Sequence, residues 1–117
     1  YELTQAASRR NFALFAEILS DMLGKGSDEH AVLAALVSHY RTLAEVTGMT
    51  GSDAEVAKTL GVKPYAVQKN REAARRLGKG RAEETYLALF GLSSGAKSGL
   101  YGKTGALFEA IAKIFFG

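Results

Sequence analysis

Residues 53–77 have the sequence DAEVAKTLGVKPYAVQKNREAARRL, in which a helix start, a glycine turn and a proline follow one another closely. Ser52, just before this stretch, can cap the backbone N–H of Glu55 while the glutamate side chain reaches back, which predicts the start of a short helix. Gly61 ends that helix, and Pro64 suits the first turn of the next one. The stretch therefore predicts two helices joined by a tight turn, an arrangement that many DNA-binding proteins use and that other helical domains use for packing alone.

Positive charge is concentrated on the same part of the chain. Residues 58–81 contain eight Lys or Arg against one acid, Glu72, which gives this segment a net charge of +7, whereas all 117 residues together carry +3. The remainder is therefore at −4, and the basicity is local. A basic helix face of this kind can meet phosphate, an acidic partner or solvent.

Before the basic stretch, two segments carry apolar residues at helical spacing. The first, from Arg9, has apolar residues around so much of its circumference that we expect it to be largely buried. The second extends from Ser27 to about Thr47, and we expect the two helices to form an antiparallel hairpin. The stripes are Phe12, Phe15, Leu19, Met22 and Leu23 in the first helix and Val32, Leu33, Leu36, Val37, Tyr40, Leu43 and Ala44 in the second.

After the basic stretch, Gly78-Lys79-Gly80 predicts a break, followed by a helix over about 82–90. The glycines and serines of 91–105 predict a loop that has room for one helical turn, and a last helix begins near Thr104. Sustained period-two alternation, the signal of a strand, is absent from the sequence. The expected fold is all-α: one compact bundle of five to six helices that contains a helix-turn-helix-like pair. Residues 1–8 have no clear periodicity and are expected to be the end of a linker from a preceding domain, with 9–117 as the helical domain.

The residue types that catalysis or metal binding needs are not suitably arranged. His30 and His39 are nine residues apart, and the chain has no cysteine, so the spacings of zinc sites are missing. Gly102-Lys103-Thr104 matches the end of a nucleotide-binding loop, but Lys97 occupies the position of its first glycine. We therefore expect no catalytic, metal or nucleotide-binding site and no cofactor. A membrane span is not expected either, because no apolar run approaches roughly 20 residues.

One hypothesis for the helix pair is DNA reading. Ala57, Gly61 and Val67 occupy the small, turn and hydrophobic positions of a helix-turn-helix, and the second helix would enter the major groove. Its exposed side chains directed to bases and phosphates would be those of Tyr65, Gln68, Lys69, Arg71 and Arg75. Glu72 can pair with neighbouring arginines on the same helix, so that face would also carry an acid. A DNA-binding transcriptional regulator is thus one of two hypotheses.

The other hypothesis comes from the whole chain. The segments FALFAEILSDMLGKG, HYRTLAEV with Arg41, AEVAKTLGVKPYAVQKNREAARRL and the Lys-Ser-Gly at 97–99 occur in this order before a final helix. In order and spacing they resemble the C-terminal domain of the delta subunit of the bacterial DNA polymerase III clamp loader. The resemblance extends from about Phe12 to the end of the sequence.

This resemblance implies a non-catalytic collar domain that holds together the ring which loads the sliding clamp during DNA replication. Its partners would be paralogous clamp-loader subunits, both the ATPase subunits and a second non-ATPase subunit, bound through helix packing. The resemblance implies that an N-terminal domain outside this sequence binds the sliding clamp. It also implies that DNA contact by this domain is indirect or weak, and that the protein is found in the bacterial cytoplasm. The parent would be a non-ATPase subunit of the DNA-directed DNA polymerase III holoenzyme.

A collar domain buries apolar and aromatic anchors against its neighbours. Exposed residues of that type, together with the basic face, make up the predicted interface with other subunits. Its candidate residues are Tyr65, Lys69, Arg71, Arg75, Lys97, Leu100, Tyr101 and Phe116.

Overall fold

A computed structural model describes residues 2–117, which form seven α-helices and no strand. The helices are α1 (Glu2–Ser8), α2 (Phe12–Gly24), α3 (Glu29–Gly48), α4 (Asp53–Leu60), α5 (Pro64–Leu77), α6 (Arg81–Lys97) and α7 (Lys103–Phe116). The all-α prediction is confirmed, but five to six helices was too few.

The additional helix is α1. Irregular chain was predicted over 1–8; Tyr1 lies outside the described residues, whereas residues 2–8 are helical. Leu3, Ala6 and Ala7 are buried in the main core. A helix of seven residues has fewer than two full turns, so it is too short to show a clear apolar period. The assignment of this segment to the end of a linker from a preceding domain stays a prediction.

α3 lies at the centre of the bundle, in contact with α5, α6, α7 and α1. Its predicted apolar stripe is the centre of the core, where Leu36, Tyr40 and Leu43 are at most 1% exposed. Burial of the Tyr40 phenol raises its pKa, since the charged form is disfavoured away from water. The sequence pattern of α3 therefore predicted its buried face correctly.

The prediction for α2 was wrong in two respects. α2 packs mainly against α1 and does not form the expected hairpin with α3, whose main neighbours are α6, α5 and α7. Of the described α2 side chains, Phe15 alone is fully buried, so the helix is not covered around most of its circumference. The reason is that other helices already occupy the apolar face of α3.

α6 continues well beyond the predicted end near residue 90, so the loop expected over 91–105 is also wrong for its first half. The small residues of this segment make close packing possible: Gly95 is buried beneath the Tyr101 ring, which a side chain at position 95 would overlap. Leu100 N–H donates to Gly95 O at 2.8 Å and Gly99 N–H to Ala96 O at 3.3 Å, the two bonds of a Schellman motif. Gly99, with φ of 81°, supplies the left-handed residue that this ending needs.

The 53–77 stretch has the local structure that was predicted. Ser52 and Glu55 form both bonds of the capping box at 3.1 Å, and Gly61 adopts the left-handed conformation that ends α4. Val56, Ala57 and Val67 form a small core between α4 and α5, separate from the main one. The two helices thus pack on each other across a short turn.

Candidate interaction surface

An apolar groove lies between α2 and α7. Its volume is about 590 Å³, within the range of roughly 300–1,000 Å³ that is usual for protein binding pockets. The side chains along it are apolar except for Ser20, Glu29 and Thr104. The apolar lining consists of Phe12, Phe15, Ala16, Leu19 and Leu23 from α2 and Leu107, Phe108, Ile111, Ala112 and Phe116 from α7.

Aromatic contacts join the two walls where α2 begins and α7 ends. The Phe12 ring lies 5.2 Å from the Phe115 ring and 6.0 Å from that of Phe116, and the Phe15 ring lies 5.0 Å from Phe115. The two contacts to Phe115 are edge-to-face pairs, which add to the stabilisation from burial. The groove therefore has one firmly packed end, and its lining continues along both helices from there.

Large apolar side chains around this groove face solvent. Phe12 is 47% exposed, Phe108 68% and Phe116 77%, and Leu23 is also exposed at the rim. Isolated exposed apolar residues are ordinary, but a contiguous patch on a small domain usually marks an interaction site. This surface therefore suits an apolar partner.

Polar contacts hold α7, one wall of the groove, at both ends. Arg10 donates to Phe115 O at 2.7 Å and Arg81 donates to Gly117 O at 2.9 Å, which satisfies carbonyls that a helix end leaves unpaired. At the other end Lys103 donates to Asp28 at 3.2 Å, and this hydrogen bond holds the pKa of Asp28 below its usual value. These contacts hold α7 in place, and none of them uses a side chain that lines the groove.

The eight residues predicted for the interface are distributed over the molecule. Phe116 lies on the α2–α7 groove. Lys97, Leu100 and Tyr101 lie at the turn between α6 and α7, where Leu100 is exposed and Tyr101 covers Gly95. Their assignment to an interface stays a prediction.

The other four predicted residues lie on α5. Lys69 Nζ lies 5.3 Å from the centre of the Tyr65 ring and 3.8 Å from Glu72, and Arg75 is exposed. Arg71 has a structural position, since its guanidinium donates to Asp53 Oδ1 at 2.7 Å, Gly51 O at 3.1 Å and Met49 O at 3.3 Å. Arg71 thereby ties the link between α3 and α4 to α5.

The sequence interpretation missed most of the groove, above all Phe12, Leu23 and Phe108 as exposed residues. A signal for Phe12 and Leu23 was present, because α2 carries apolar residues at more positions than one core-facing stripe requires. That excess was interpreted as burial within this chain. It equally fits burial by a partner.

Residues 2–117 contain no group of three or more His, Cys, Asp or Glu placed to hold a metal ion. Burial of the His39 imidazole lowers its pKa to about 4, so the ring is neutral near neutral pH. None of the described helices has the length and apolar character needed to cross a membrane.

Comparison with known families agrees with the overall resemblance. Residues 1–114 match the family model described as DNA polymerase III delta subunit, C-terminal domain. The match begins at residue 1 and therefore includes α1. No curated protein and no solved structure matched the chain.

Proposed function

The chain belongs to the family formed by the C-terminal domains of DNA polymerase III delta subunits, and from this membership we propose that it is a collar domain, which joins a clamp-loader delta subunit to its neighbours in the ring. The domain acts by helix packing and performs no chemistry. The proposed partners are the ATPase subunits and the second non-ATPase subunit, and the proposed compartment is the bacterial cytoplasm. The sliding clamp is assigned to the N-terminal domain of the parent protein, and DNA contact through this domain is indirect or weak.

Beyond family membership, the α2–α7 groove is the structural observation that supports this proposal. Its walls are helices of 13 and 14 residues, each about 20 Å long at 1.5 Å per residue. An apolar groove of this length accepts the apolar face of an amphipathic helix, whose anchors recur at i, i+3, i+4 and i+7. The proposed occupant is therefore a helix from a neighbouring clamp-loader subunit, with Phe108 and Phe116 as its aromatic contacts.

The alternative of a helix-turn-helix regulator has no observation in its favour. Arg71, one of the side chains it would direct to DNA, is held by Asp53 and by two backbone carbonyls. A side chain occupied in this way has few donors left for bases. We do not propose DNA reading as the function.

The test is assembly of the parent delta subunit with the other clamp-loader subunits, measured as a dissociation constant. Phe108→Ser is expected to weaken assembly by about 30-fold or more, since a central aromatic anchor typically contributes at least about 2 kcal/mol. The matched control is Leu87→Ser on α6, which is 57% exposed and lies outside the groove. It should change the dissociation constant by less than about twofold. The thermal unfolding midpoints of both variants should stay close to wild type.

Two outcomes would contradict the proposal. Equal dissociation constants for the Phe108→Ser and Leu87→Ser variants would exclude the groove as the docking surface. Failure of the wild-type delta subunit to join the ring would exclude the collar function itself.

A further inference from the structure

A second concave site differs from the apolar groove in that its lining is polar and basic. It is a pocket of about 210 Å³ formed by the end of α1, by α3 and by α5, and we call it the α1–α3–α5 pocket. Arg9 follows α1, while Lys69 and Arg76 lie seven residues apart on one face of α5. Against these three cations the pocket has one acid, Glu72, so its excess charge is +2.

The positive charge in this pocket is largely unpaired. Lys69 is 3.8 Å from Glu72, a long ion pair. Arg9 and Arg76 take part in none of the ion pairs or side-chain hydrogen bonds within residues 2–117. By contrast, Arg10, Arg71 and Arg81 each donate to an oxygen of this chain. Two guanidiniums in the pocket therefore retain all their donors.

The floor of the pocket is formed in part by His39. Its ring is packed against Tyr40, with 5.4 Å between the ring centres, and its Nε2 is buried without a hydrogen-bond partner in the described structure. Because the ring is neutral near neutral pH, it adds no positive charge to the pocket. Any anion in the pocket would lie near this ring. Titration of the His39 ring can therefore show whether an anion is bound.

We propose that the α1–α3–α5 pocket binds a phosphate group through Arg9, Lys69 and Arg76. The volume of about 210 Å³ is below that of usual small-molecule sites, so a single charged group fits better than a whole ligand. Guanidinium groups bind phosphate oxygens in a bidentate manner, and donors from two separate elements can address different oxygens. Phosphate is favoured over a carboxylate because it offers more acceptor oxygens and more charge to three cations.

The phosphate can come from two sources. One is a free phosphate or a nucleotide, and the other is the backbone of a nucleic acid strand. The +7 charge of residues 58–81 provides a surrounding field that attracts a polyanion. Contacts to such a backbone carry no sequence information, so this binding differs from helix-turn-helix reading. The site is also separate from the α2–α7 groove and does not depend on the collar function.

The first experiment titrates the full chain with inorganic phosphate and follows the His39 ring by NMR. Bound phosphate is expected to raise the pKa of His39 from about 4 by roughly half a unit or more, because a nearby anion favours the imidazolium. The double variant R9Q/R76Q should weaken phosphate binding by about tenfold or more, since each charged hydrogen bond is worth about that factor. The charge-matched control R75Q/K79Q changes exposed cations outside the pocket and should keep both binding and the His39 response.

Two results would overturn the proposal in favour of diffuse surface charge. One is an equal loss of phosphate affinity in the two double variants, and the other is a His39 pKa that phosphate does not change. Displacement of phosphate by a glutamate-rich peptide at similar concentration would overturn it in favour of a carboxylate ligand. A short single-stranded oligonucleotide distinguishes the sources. The source is nucleic acid if the oligonucleotide raises the His39 pKa and if R9Q/R76Q lowers the slope of log binding constant against log salt by about 1. If inorganic phosphate binds and the oligonucleotide does not, the site takes free phosphate, and the proposal still holds.

Discussion

α2 and α3 are both apolar helices with clear helical periodicity, yet the bundle uses them in opposite ways. In α3 the stripe is covered on several sides, and Leu33, Leu36 and Leu43 are at most 1% exposed. In α2 only Phe15 among the described side chains is fully buried, and Phe12 stays nearly half exposed. The difference is that α3 has α5, α6 and α7 around it, whereas α2 rests mainly on α1. Apolar periodicity thus identifies a face that will be buried, but does not tell whether the same chain buries it.

The largest expected effect contrasts one leucine from each helix. Leu36→Ala in α3 should lower the free energy of unfolding by about 2–5 kcal/mol, because it leaves a cavity in a fully packed core. Leu23→Ala in α2 should cost about 1 kcal/mol or less, since Leu23 is 36% exposed and borders an open groove. Urea unfolding of both variants gives the comparison. Similar losses in the two would mean that α2 is as tightly packed as α3.

The start of α2 provides the next test. Asn11 accepts a hydrogen bond from Leu14 N–H at 3.2 Å, whereas Asp28 makes no side-chain cap at the start of α3. Asn11→Ala should therefore cost about 1 kcal/mol and raise hydrogen exchange mainly in α2. Amide exchange measured by NMR would show where protection is lost. Loss of protection spread evenly over α2 and α3 would contradict the weaker attachment of α2 to the bundle.

The smallest effect is a pH dependence at the start of α3. The hydrogen bond from Lys103 keeps the pKa of Asp28 below its usual value of 3.8. A carboxyl with a lowered pKa contributes stability above its unfolded pKa and loses that contribution as the pH falls through the folded value. Lys103→Met should therefore reduce stability slightly near neutral pH and make the decline below pH 3.8 less steep. Urea unfolding in the two pH ranges measures this change in stability. Lys25→Met is the control, because Lys25, just after α2, pairs with exposed Asp21 of that helix and not with Asp28.

Local patterns in the sequence were sufficient for much of the fold. The Ser52 capping box, the left-handed Gly61 and Pro64 at the start of α5 all involve residues within a few positions of one another, so the sequence displays them directly. The resemblance to the C-terminal domain of the delta subunit was likewise confirmed, because it depends on the order and spacing of residues.

The candidate site was less predictable. Of the eight interface residues expected, Phe116 lies on the groove, while Phe12, Leu23 and Phe108 were not expected there. Their exposure depends on the distance between α2 and α7, which no short-range pattern encodes. Arg71 illustrates the same limit, since its three partners at 49–53 are 18 to 22 residues away in the chain.

The sequence by itself therefore determined the positions of most helices, their caps, the buried face of α3 and the family. Tertiary structure alone decided that α1 is part of the core, that Gly95 lets α6 continue beneath Tyr101, and that α2 leaves an apolar groove open. The physical reason is the separation along the chain between the residues that interact. Caps and periodicity arise from interactions within one or two helical turns, whereas burial depends on which distant helix packs against a given face.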